Sequence, residues 1–136
     1  MTRKPSTVAV LLMAGLLSGV PANALQDGDG GSGAPQETFV GSGTDIPLMP
    51  GLEEDVATRV QFDKAEGRIL ETRLYGQVGL DEVRTFYRDA LLQLGWDSGD
   101  AAPGKLEFSR EGERLVLEFA VRAGEVEVRV FLRPAQ

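Results

Sequence analysis

FYRDALLQLGW, Phe86 to Trp96, is where the hydrophobic period of the chain changes, and that change decides the fold. Together with the residues just before it, Val83, Phe86, Tyr87, Ala90, Leu91 and Leu94 recur at steps of three and one, a single apolar stripe along a helix. Arg84, Thr85, Arg88, Asp89 and Gln93 fall on the opposite side. Asp81 stands where an N-cap is wanted, Glu82 suits the positive end of the helix dipole, and Gly95 suits the left-handed residue that ends a helix. A helix this short is marginal alone in water, so the stripe needs a surface to cover. At ~1.5 to 3 kcal/mol per large apolar side chain, burying it contributes on the order of 10 kcal/mol before entropy is subtracted.

On both sides of the helix the period is two. RILETRLYGQV, residues 68–78, places Leu70, Thr72, Leu74, Gly76 and Val78 on one face and Ile69, Glu71, Arg73, Tyr75 and Gln77 on the other. Before it, VATRVQF (56–62) predicts a short strand, with a turn over Lys64 to Gly67. After the helix, KLEFSR, ERLVLEFAVR and EVEVRVFLR are separated by Glu111-Gly112 and Ala123-Gly124, short connections that predict an antiparallel meander. Leu106, Phe108, Leu115, Leu117, Phe119, Val121, Val126, Val128, Val130 and Leu132 share its drier face. The expected fold is α+β, one helix packed on a twisted antiparallel sheet of about four to five strands, in the order β-β-α-β-β-β.

The 136 residues suffice for one ordinary domain. The first 24 are expected to lie outside it, because MTRKPSTVAVLLMAGLLSGVPANA has the parts of a secretory signal peptide: Arg3 and Lys4, an apolar run, and Ala22-Asn23-Ala24 as a cleavage site. Val8 to Val20 is shorter than the ~20 residues a membrane-spanning helix needs. Cleavage after Ala24 removes two cations and no acid, taking the net charge from −7 to −9. Residues 25–45, rich in glycine, predict a flexible linker, and 46–136 the single domain. Expected localisation is export, periplasmic or secreted, with no integral membrane anchor after cleavage.

The chain has no Cys and no His, which removes disulfides, thiol nucleophiles, Ser-His-Asp arrangements and His-ligated zinc together. The acidic balance argues against a nucleic-acid partner, which needs a basic stripe. Glu53 with Glu54, and Glu111 with Glu113, fall in expected loops where solvation leaves carboxylates ordinary. DGDGGSG, Asp27 to Gly33, lacks the third early ligand and the closing Glu of a calcium loop. No catalytic, cofactor-binding or metal residues are expected, and the chain is read as not an enzyme.

Two surfaces remain. On the outer face of the sheet Ile69, Tyr75, Val116 and Phe131 interrupt otherwise alternating charges, a candidate partner surface for another envelope protein or for self-association. Phe86, Tyr87 and Trp96 are the alternative, lining a small pocket between helix and sheet for a hydrophobic ligand or lipid, although their spacing is also that of a core.

FYRDALLQLGW followed by LEFSREGERLVLEF, with IPLMPGLEED and EGRILE before it, resembles a pattern in small exported bacterial domains of uncharacterised function, where an aromatic helix ending in Gly-Trp precedes a β-meander. The similarity covers roughly Ile46 to Arg133. It implies an envelope location and an α+β fold, and transfers no catalytic residues. The expected function is an exported, non-enzymatic binding module of the bacterial envelope; the alternative is a carrier of a small hydrophobic ligand or lipid.

Overall fold

Alternation from Gly67 onward builds the sheet expected of it, and the computed structural model describes residues 38–136. The expected signal peptide, and the part of the expected linker before Thr38, lie outside the described residues. In chain order the elements are β1 (Glu53–Glu54), β2 (Val60–Lys64), β3 (Gly67–Gly76), α1 (Leu80–Gln93), β4 (Asp97–Ala102), β5 (Lys105–Arg110), β6 (Glu113–Arg122) and β7 (Glu125–Pro134). The fold is α+β with an antiparallel sheet, but the sheet has seven strands rather than four or five. Its order is β1-β3-β7-β6-β5-β4, with β2 also pairing with β3. The helix therefore carries the chain from β3 to the far edge strand β4, and the meander returns until β7 closes against β3.

The two extra strands have identifiable causes. β4, DSGDAA, has little strand propensity and is exposed throughout; it is a strand because Pro103-Gly104 folds it back on β5, with a register shift between Ser98 and Ala101. β1 and β2 share one edge of β3. Between them Val56–Thr58 is a 3-10 turn held by the Asp55 carboxylate, which accepts from Ala57 N–H at 3.2 Å. The expected strand over 56–62 therefore begins only at Val60. The helix, by contrast, begins two residues early, capped by Gly79, which leaves Asp81 inside the first turn rather than at the cap. Gly95 does take the left-handed conformation, φ +84. At both tight turns of the meander the two central residues have positive φ, Glu111 with Gly112 and Ala123 with Gly124, the mirror-image turn that matches strand twist.

Six strands side by side are about 25 Å across at ~4.8 Å per strand, while a helix with its side chains covers about 10 Å. One helix leaves half the inner face bare. α1 lies over β4, β5 and β6, seating Val83, Tyr87 and Leu91. The remainder is covered by residues 38–52, which supply Val40, Ile46, Met49 and Leu52 to the core. Residues 38–45, inside the stretch read as linker, form the first arm of a small hairpin in which Val40 N–H donates to Ile46 O (2.8 Å) and Leu48 N–H to Thr38 O (2.7 Å). Gly41 and Gly43 turn it with positive φ.

Polar side chains pin this hairpin to the sheet. Glu54 accepts from Gly41 N–H at 3.1 Å and from the Thr72 hydroxyl at 3.0 Å, and pairs with Arg59 at 3.2 Å. Gln61 brackets Ser42, accepting from its N–H and donating to its carbonyl. Arg68 donates twice to Glu113 (2.9 and 2.8 Å) and once to Gly43 O (2.9 Å). At the other end Gly51 crosses Gly76 so closely that a Cβ on Gly76 would lie 2.1 Å from Gly51 O.

Candidate functional site

The aromatic trio divides into core and rim. Tyr87 is fully buried, its hydroxyl oxygen accepting from Met49 N–H at 3.3 Å, a link from α1 to the covering segment. Burial pushes its phenol well above the ordinary range, against the opposing effect of that hydrogen bond. Trp96 is also buried, beneath the Arg110 guanidinium, which stacks at 4.4 Å, donates to Leu94 O at 2.9 Å and pairs with Asp45 at 2.6 Å. Phe86 packs edge-on to Tyr87, ring centroids 5.1 Å apart, and lines a cavity. That cavity is a groove of about 660 Å³ between α1 and residues 38–52, walled by Phe39, Pro47, Leu48, Leu52, Phe86 and Leu94.

The outer face carries no covering element among the described residues, and strand register fixes which of its side chains meet. Val116 and Phe131 are direct cross-strand partners. On the other side of Phe131 stands Glu71, and Glu71 faces Val60 of β2. In the next row Ile69 is paired with Phe62. Phe62 and Val60 are 57% and 46% exposed and stand with Ile69 at the β2 edge, separated in the Val60 row from Phe131 and Val116 by Glu71. Tyr75 lies apart, between Glu127 and Glu53, and chiefly through a hydrogen bond it holds Arg73 above its ordinary pKa. The sequence-derived set thus divides: Val116 and Phe131 meet, Ile69 stands in the next row beside Phe62, and Tyr75 lies apart. Val60 and Phe62 join the face because the strand starts at Val60, four residues later than its alternation suggests.

Two rows of arginine flank Val116 and Phe131. Arg114 is opposite Arg133, and Arg73 is opposite Arg129. Phe131 sits between the guanidiniums of Arg129 and Arg133, at 5.2 and 5.7 Å. Arg114, Val116, Glu118, Phe131 and Arg133 line a depression of about 270 Å³. Beyond it Glu107 is covered by its ion pairs with Lys105 and Arg114, which hold its carboxyl below the usual range. Arg129 pairs with Glu118 at 3.5 Å and Arg122 with Glu127 at 3.4 Å.

Of the carboxylates weighed for acid-base chemistry, Glu54 and Glu113 are engaged in the hairpin contacts above, while Glu53 and Glu111 are exposed. Among the described residues no group of Asp and Glu is arranged to hold a metal ion, and no helix is long and apolar enough to cross a membrane. No family model, curated protein or solved structure matches this chain.

Proposed function

We propose that the chain is an exported, non-enzymatic binding module of the bacterial cell envelope that engages a protein partner through the outer face of its sheet. The observation that carries this reading is a pair of apolar clusters, Val60, Phe62 and Ile69 at the β2 edge and Phe131 with Val116 across β7 and β6, left uncovered on one face while α1 and residues 38–52 both cover the other. Exposed apolar side chains scattered singly are ordinary; apolar side chains paired across strands and rimmed by charge are the pattern of a contact surface. Export is supported by the basic start, apolar run and Ala22-Asn23-Ala24 of the N-terminus.

The groove beside Phe86 favours a second reading, a carrier of a small hydrophobic ligand. Its volume of about 660 Å³ falls within the ~300 to 1,000 Å³ of ligand pockets. One experiment separates the two. The chain is captured from the envelope of its own cells as wild type, Phe131→Glu and Leu94→Glu, with native mass spectrometry for retained small molecules. A stoichiometric protein lost only on Phe131→Glu supports the binding module. A retained small molecule lost only on Leu94→Glu, with no protein partner, supports the carrier and overturns the first reading.

A further inference from the structure

We infer that the segment docking on the outer face is acidic and extended, with two carboxylates straddling one apolar side chain, an inference that rests on the outer-face reading. Like charges directly opposite one another across two strands are destabilising, and this face has two such pairs, Arg114 with Arg133 and Arg73 with Arg129. They occur in a chain whose net charge is −7, so they do not reflect a general excess of cations. The carboxylates on the face do not relieve them evenly. Glu107 is shared between Arg114 and Lys105, Glu118 pairs with Arg129, and among the described residues no carboxylate pairs with Arg133 or Arg73.

The spacing supplies the geometry. Along β7, Arg129, Phe131 and Arg133 project from the same face at alternate positions, so consecutive members are about 7 Å apart at ~3.4 Å per residue. An extended partner strand with Glu at its first and fifth positions and an apolar residue at its third repeats that interval. Its carboxylates meet Arg129 and Arg133, each able to receive a bidentate guanidinium pair, and its apolar side chain enters the depression over Val116 and Phe131. A basic or neutral partner would supply no carboxylate to Arg133, and Arg129 would keep only Glu118.

The test uses the whole chain, isotope-labelled and purified from cells that export it, titrated by NMR with a capped Gly-Glu-Thr-Phe-Thr-Glu-Gly peptide. Controls replace both Glu by Lys, replace Phe by Ser, or substitute vesicles of anionic phospholipid. Expected are saturable shifts confined to residues 114–118, 129–133 and 69–73, with affinity falling about tenfold in Arg133→Glu, the 1.4 kcal/mol of a lost and reversed charge contact. Equal binding of the Lys peptide, absence of shifts at these residues, or tighter binding of the vesicles at the same residues overturns the inference. Captured partner then distinguishes the two levels. Loss on Phe131→Glu with full retention on Arg133→Glu sinks the acidic segment and leaves the outer face standing, whereas full retention on both sinks the outer face as well.

Discussion

Replacing Tyr87 by Phe removes one oxygen from the interior and tests whether residues 38–52 are an integral cover of the sheet. The ring stays, with its edge-on contact to Phe86, so little apolar area changes. What is lost is the acceptor for Met49 N–H, in a residue only 6% exposed. A hydrogen bond of this kind contributes ~0.5 to 1.5 kcal/mol, and a buried donor left without a partner costs ~1 to 3. The 3.3 Å separation is long for N–H···O, which places the expected loss near the lower end, about 1 kcal/mol. For a domain of about 100 residues that lowers Tm by about 4 to 8 °C. The pH dependence supplies a second readout. The folded-state pKa is raised, so the stabilisation is complete below the unfolded value of ~10 and is lost as pH climbs toward the folded one. Wild type should therefore lose about 1.4 kcal/mol per pH unit above pH ~10 from this group, a slope the Phe variant lacks. Thermal and urea unfolding across pH 7 to about 11 measures both. A Phe variant with unchanged Tm and the same alkaline slope would refute the proposed link between helix and cover.

Four further substitutions probe the same domain. Gly76→Ala should cost about 3 kcal/mol or prevent folding, because its Cβ collides with the Gly51 carbonyl, while Gly99→Ala, which meets nothing closer than 3.5 Å, should be nearly neutral in the same urea titration. Glu54→Ala strands Gly41 N–H, the Thr72 hydroxyl and Arg59, so about 2 to 4 kcal/mol should be lost, with amide exchange accelerating first at residues 40–46. Lys105 and then Arg114 hold the Glu107 carboxyl below its ordinary range, so its stabilisation is present at neutral pH and lost as pH falls through the folded value. Glu107→Gln should flatten the acid limb of the stability profile.

How far these features were legible depends on whether a local signal existed. The stripe Val83, Tyr87, Leu91 and the inward residues of β3, β5, β6 and β7 follow from period alone, because each buries one side against a common core. β4 was invisible to that test: DSGDAA has no alternation, and only the Pro103-Gly104 turn pointed to a paired strand. Residues 38–45 lack a local signal for a related reason. VGSGTDI has the composition of a flexible linker, yet its glycines turn a hairpin whose Val40 and Ile46 cover the half of the sheet that the helix cannot reach. A count of strand widths against one helix would have demanded such a cover. The outer face was legible residue by residue, but which members meet is set by register, and that put Val116 against Phe131 and left Tyr75 beside Glu127.

The most direct measurement places a photo-crosslinking amino acid at Val116 and, in a second strain, at Phe39 on the rim of the groove, and irradiates living cells. If the outer face is the contact surface, position 116 yields a discrete protein adduct of one mass and position 39 does not. An adduct at position 39 alone, or none at 116 while the exported chain is abundant, contradicts it.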